Sequence, residues 1–153
     1  MTQDDITKTA ETAKALEKRV QAFEDLESIK VMHRNYVYWL CNLQWDDMLG
    51  CFTEDAQMDI AGDRPRQGKE DIYDFFKTVL ANMVTRKDGH MVGQPVISVD
   101  GNNARGYWIL FLFFSEPTVR WLQGRQEVEY VKINGQWLIS NMKFINPWPG
   151  ESG

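Results

Sequence analysis

From Thr7 to about Leu43 the chain contains neither glycine nor proline, and its apolar positions Leu26, Ile29, Met32, Tyr36 and Leu40 recur at steps of three and four. That spacing places them on one face of a helix. Leu16, Val20 and Phe23 carry the pattern toward the N-terminus. A second, short helix is predicted where Trp45, Met48, Leu49 and Phe52 share a face and Asp46 and Asp47 lie opposite. The segment AQMDI then alternates as a strand and ends at AGDRPRQG. A third helix starts after Gly68. Glu70 and Asp71 in its first turn suit the positive end of the helix dipole, and its apolar face is Ile72, Phe75, Phe76, Val79 and Met83.

After Arg86 the period changes from helical to alternating. QPVISVDGNNARGYWILFLFF predicts a strand, an Asp-Gly turn and a second strand. The next strand is expected from about Val119 to Ile133, with Gly124 as a bulge or bend. Asn134-Gly135 is a hairpin signal, QWLISNMKFI is the last strand, and NPWPGESG is a tail. Helices first and meandering strands afterwards imply an α+β layer pair. The segment Trp108 to Phe114 is apolar on both faces. One face can meet the helices, and a second subunit is the simplest cover for the other.

The 153 residues show no repeat and no long linker, so a single domain over 1–153 is expected, with a core at about 16–144, a polar helical extension at 1–15 and a tail at 145–153. A hydrophobic content of 43% supports a packed core. The net charge of -5 disfavours nucleic acid and anionic membranes as partners. No apolar run approaches the roughly 20 residues that span a bilayer, and the polar N-terminus carries no signal-peptide core. Cys41 and Cys51 form no CxxC pattern, so free thiols in a reducing cytoplasm are expected. With two histidines and two cysteines, no metal site is expected.

The ordered set of a tyrosine-bearing helix, a short helix, FTEDAQMDI, a G-x-E-x-I helix start, GHMVGQPVISVDGNNARGYW and NGQWLI resembles the SnoaL-like polyketide cyclase and dehydratase family. That family lies within the nuclear transport factor 2-like superfamily, beside scytalone dehydratase, ketosteroid isomerase and bile acid dehydratase. The resemblance covers roughly Leu16 to Phe144. It implies a cone-shaped α+β barrel, with three helices on a strongly curved, mostly antiparallel sheet around a deep apolar cavity. It also implies homodimers through the outer sheet face and no cofactor.

His90 follows a glycine just before a strand, where the resemblance places a pocket histidine. An unperturbed imidazole, with a pKa near 6.5, exchanges protons near neutral pH. Tyr36 stands where relatives carry an inward tyrosine; as a member of the apolar stripe it equally fits a packing role. Cys41 is the departure, because the resembling dehydratases carry an aspartate five residues after that tyrosine. A thiol cannot hold an imidazolium as a carboxylate does, so Cys41 is either a small filler of the pocket wall or a nucleophile.

Further candidates for the substrate wall are Trp39, Tyr107, Trp108, Glu127 and Asn141. Glu127 and Glu129 share one strand face, read as solvent or a dimer interface unless it lines the cavity. Asn141 shares parity with Trp137 and Ile139, which points it inward. Asp59 is expected outside, and Asp46 and Asp47 are read as an acidic helix face. His33, flanked by Lys30, Arg34 and Asn35, is read as solvated. The expected function is a cofactor-free dehydratase, hydratase, isomerase or cyclase acting on an apolar oxygenated small molecule. A non-catalytic binding or dimerisation module of the same fold is the alternative, as is an accessory subunit like that of ring-hydroxylating dioxygenases.

Overall fold

One helix of 39 residues, α1 (Gln3–Cys41), opens the chain in the computed structural model, which describes residues 1–60 and 64–145. Thr2 caps it, accepting from the Asp5 N–H while the Asp5 carboxylate accepts from the Thr2 N–H. Burial begins only at Asp25, so Leu16, Val20 and Phe23 remain 49%, 53% and 67% exposed on a helix that runs past the sheet. The buried stripe is Asp25, Ile29, His33, Tyr36, Val37 and Leu40. It is rotated slightly from the expected one, since Leu26 and Met32 are only half-buried.

The second helix, α2 (Trp45–Leu49), ends before Gly50, and Phe52 becomes the first residue of β1 (Phe52–Ile60). After the short β2 (Arg66–Gln67), α3 (Lys69–Phe75) widens into a π-helical turn over Phe76–Leu80 and closes as α4 (Ala81–Met83). Four long strands follow: β3 (Gly89–Asp100), β4 (Asn103–Phe114), β5 (Arg120–Ile133) and β6 (Gln136–Ile145). The expected tail beyond Ile145 lies outside the described residues. The sheet order is β2-β1-β6-β5-β4-β3, with β1 and β6 parallel and every other pair antiparallel. Asn134 and Gly135, at φ 49 and 80, make the expected tight turn between β5 and β6.

Two irregularities decide which side chains face inward. β3 bulges between Gly93 and Val96, with Gln94 at φ 48, and the bulge rests on Gly106, where an added Cβ would meet the Val96 carbonyl at 2.6 Å. In β6, Ile139 pairs with Tyr130 but Asn141 pairs with Glu129, which leaves Ser140 as an extra residue. Its hydroxyl donates to the Glu129 carbonyl. Past this point Met142 and Phe144 face inward, while Asn141 and Lys143 face outward.

Gly124 pairs regularly with Leu110, so no bulge falls there. It is a seat for the Phe144 ring, which a Cβ at this position would strike directly. The inner sheet face carries Trp108, Leu110, Leu112 and Phe114. The outer face presents Tyr107, Ile109, Phe111 and Phe113, beside Met91 and Trp121. Phe111 stacks on Phe113 and meets Trp121 at a tilt there, yet Trp121 is 57% exposed. Among the described residues no helix is long and apolar enough to cross a membrane.

Gly124→Ala should lower unfolding free energy by about 1–3 kcal/mol through overpacking against Phe144. Urea denaturation of the two proteins measures this, and equal midpoints would contradict the assigned packing.

Candidate active site

Between α1, the α3–α4 segment and the inner sheet face lies a cavity of about 350 Å³. Its wall is apolar: Leu40, Phe75, Phe76, Leu80, Leu110 and Phe144 contribute, with Met83 and Leu122 at the exposed rim. Three polar side chains line it, Tyr36, His90 and Gln126, and no charged one does among the described residues. The π-helical turn helps because one extra residue per turn lets Phe75, Phe76, Val79 and Leu80 all reach the same space.

His90 enters from the second residue of β3. Neither ring nitrogen has a hydrogen-bond partner among the described residues. Burial among apolar groups lowers its pKa from 6.5 to about 4, against a smaller opposing pull from the Asp88 carboxylate. The imidazole is therefore neutral near pH 7, a correction to the ordinary value expected from sequence. Asp88 forms no hydrogen bond to it. That carboxylate accepts from the Ser115 N–H and hydroxyl and from the Thr85 N–H, which hold it below its usual range.

Tyr36 points in from α1, and its hydroxyl also has no partner among the described residues. Thr53 Oγ1 is the one sealed and unpaired side-chain polar atom among them, so the Tyr36 oxygen is not sealed, and Tyr36 lines the cavity. Burial raises its pKa above the ordinary phenol value, with a smaller contribution from Cys51. It is a fixed donor at any working pH.

Cys41 does not line the cavity. The His90 backbone N–H donates to its Sγ at 3.3 Å, and the thiol donates to the His90 carbonyl at 3.5 Å. It pins the start of β3 through the main chain and leaves the ring alone.

The sequence reading missed two groups. His33 is fully buried, not solvated: it sits four residues after Ile29 and three before Tyr36, while Arg34 and Asn35 turn outward. Its ring stacks on Trp108 at 4.5 Å between centroids with 5° between planes. Trp108 Nε1 lies 2.9 Å from the Tyr130 oxygen, which lies 3.1 Å from His33 Nδ1, and His33 Nε2 lies 2.9 Å from Gln126 Oε1. An indole can only donate, so the Tyr130 oxygen accepts from it; Nδ1 is the one acceptor within reach of the Tyr130 O–H among the described residues, so that O–H donates to Nδ1. The remaining proton of neutral His33 is then on Nε2 and donates to Gln126 Oε1. Desolvation keeps His33 neutral, lowering its pKa to about 4. The spacing from Ile29 was the available signal for His33; for Gln126 it was strand parity with Val128 and Tyr130, while its partners are 93 and 16 residues distant in sequence.

The other expected wall residues lie elsewhere. Trp108 faces inward, but His33 covers it. Tyr107, Glu127 and Asn141 share a depression on the outer sheet face with Arg105 and Lys143. Tyr107 and Glu127 follow outward parity, and Glu127 pairs with Arg125; the Ser140 bulge turns Asn141 out with them. Trp39 lies on another depression, near Met32 and Asn35. No cluster of three or more His, Cys, Asp or Glu side chains suited to a metal occurs among the described residues.

A curved sheet closed by three helical segments encloses this apolar, sparsely polar cavity. The chain belongs to the SnoaL-like domain family, which matches residues 21–143. No curated protein matches it in sequence. Among solved structures it is similar to an NTF2-like protein with a cystatin-like fold from Novosphingobium aromaticivorans, at 15% identity over 90% of each chain with a TM-score of 0.80. It is also similar to a hexachlorocyclohexane dehydrochlorinase from Novosphingobium barchaimii, at 13% identity over 85% of this chain and 91% of that one, TM-score 0.76. A proposed scytalone dehydratase from Novosphingobium aromaticivorans matches at 18% identity over 82% and 86%, TM-score 0.74. These TM-scores establish a shared fold.

The two depressed histidines set a pH dependence of stability. Unfolded, each binds its proton near pH 6.5; folded, only near pH 4. Between these values the unfolded state binds more protons, so stability falls as pH falls, by up to about 1.4 kcal/mol per pH unit for each ring. Denaturation of wild type and His90→Leu from pH 7 to pH 4 should show a flatter curve for the variant. Parallel curves would contradict a buried neutral His90.

Proposed function

We propose that this protein is a cofactor-independent lyase or isomerase that moves a proton on an uncharged, apolar, oxygen-bearing small molecule. The observation that carries this reading is an unpartnered, neutral imidazole opening into an apolar cavity that an unpartnered phenol also lines. Pockets of this size and lining suit small organic ligands, with a few polar groups fixing orientation. An uncharged wall suits an uncharged substrate, because an unpaired charge in such a space is costly.

In the elimination direction, His90 takes a proton from the carbon beside a carbonyl. The carbon's electron pair moves toward the carbonyl oxygen, and the Tyr36 O–H donates to the oxyanion that forms. The β-hydroxyl then leaves with its bonding electrons and takes the proton from the imidazolium, so water departs and His90 returns to neutral. Returning the proton to another carbon instead gives isomerisation. The dehydratase-type and dehydrochlorinase names among the structural neighbours are consistent with this class.

A second reading, a non-catalytic binding module, draws on one observation: Cys41 occupies the place of an expected carboxylate and makes its hydrogen bonds to the His90 backbone, not to the ring. His90→Ala decides between them, assayed on β-hydroxy ketones and related substrates. The enzyme reading expects kcat/KM to fall about 10²- to 10⁴-fold. In wild type the rate should fall on the acid side with an apparent pKa of about 4, the value set by desolvation of His90. Unchanged rates in the variant would leave the binding module.

We propose further that the exposed aromatic face around Phe111, Phe113 and Trp121 is covered by a second copy of the chain. Phe113, 44% exposed, can be replaced without opening the core. Phe113→Lys should convert a dimer to a monomer in light scattering at micromolar concentration, and a wild-type monomer would refute the assignment.

A further inference from the structure

We infer that Gln126 is a substrate-binding residue: its side-chain amide donates a hydrogen bond to an acceptor oxygen, of the carbonyl class, at the deep end of the ligand. The inference rests on the reading that the cavity takes a neutral oxygenated molecule, and it adds the group that recognises the oxygen remote from His90.

The direction of the buried relay carries the argument. Trp108 can only donate, and the buried Tyr130 O–H has Nδ1 as its one acceptor among the described residues; together these leave the His33 Nε2–H to donate to Gln126 Oε1. The amide oxygen is thereby committed to His33, and the amide nitrogen must face the other way. One of its N–H groups reaches Met142 Sδ at 3.8 Å, a weak acceptor. The other has no partner among the described residues, and Gln126 lines the cavity. A buried amide donor left over in an apolar space is costly unless a ligand or water meets it. An amide free to turn could offer either end; the relay removes that choice, so the site selects an acceptor.

Position separates this group from the reacting end. His90 pairs across the sheet with Leu112 and then Leu122, whereas Gln126 lies four residues further along β5, opposite Trp108. That offset is about 13 Å along the strands. Gln126 is 3% exposed, while Leu122 and Met83 at the rim are 38% and 60% exposed. Gln126 therefore holds the inner end of an extended ligand while His90 acts nearer the opening. Tyr130 and His33 are positioning residues, acting only through the amide.

The test uses two uncharged probes of matched shape, acetylnaphthalene, which carries a ketone, and ethylnaphthalene, which does not. Their affinities are measured by titration against the wild-type protein, Gln126→Met and Tyr130→Phe. Gln126→Met should reduce the preference for the ketone about 3- to 10-fold relative to wild type, the worth of one neutral hydrogen bond. The infrared carbonyl band of the bound ketone should lie at lower frequency in wild type than in this variant. Gln126→Asn, which keeps an amide but withdraws it, should show the same loss and covers the case in which Met disturbs folding. Tyr130→Phe, which lets the His33 tautomer and the amide turn, should give a partial loss.

An unchanged preference and band in both Gln126 variants would overturn the anchor. An unchanged preference in Tyr130→Phe would overturn the relay. His90→Ala should leave the ketone preference intact whether or not it abolishes turnover, so failure of the catalytic reading and failure of this one are distinguishable.

Discussion

The indole of Trp108 is a donor with no acceptor to offer, and burying it under α1 orients every polar group that follows. Tyr130 must receive it, His33 must receive Tyr130, and Gln126 must receive His33. A buried polar group without a partner costs more than a made hydrogen bond returns, so the chain of bonds also fixes how α1 lies on the sheet. Asp25 fastens the same helix nearer its exposed arm. It accepts from Lys132 at 2.6 Å and Trp137 at 3.0 Å, which outweigh the upward push of burial on its pKa. With α1 held at these two places, Tyr36 and Leu40 are left facing a space that side chains do not fill.

One physical cause, desolvation, acts on both histidines and has opposite consequences. It pushes each ring toward the neutral form, with pKa values of about 4. His33 then has both nitrogens satisfied and a stacked indole beneath it, so it is a structural element with nothing to exchange. His90 has neither nitrogen satisfied and an open cavity before it, so the same neutrality makes it an available base. Its conjugate acid, formed in an apolar space without a hydrogen-bonded carboxylate, is more acidic than an ordinary imidazolium and gives the proton up more readily. The thiol of Cys41 fits this arrangement by fixing the strand that carries His90 without touching the ring's charge.

The fold was legible because its signals are local. The glycine- and proline-free run from Thr7 to Leu43, the change of period after Arg86 and the Asn134-Gly135 turn each depend on neighbouring residues. Tyr36 and His90 line one cavity. The burial of His33 was half-visible, since it stands at helical spacing from Ile29 and Tyr36, but its polar neighbours hid it. Asn141 was misread because strand parity assumes an unbroken ladder, and the extra Ser140 resets it.

The order of elements, the faces of the helices and the chemical types available near the cavity were therefore determined by the sequence alone. The direction of the Gln126 amide, the neutrality of His90 and the outward turn of Asn141 were decided by tertiary structure. Each depends on what lies across a gap of many residues: a donor-only indole, a desolvating wall, a strand offset by one position. Periodicity records which way a side chain leaves its own backbone. It cannot record which groups another segment brings to meet it.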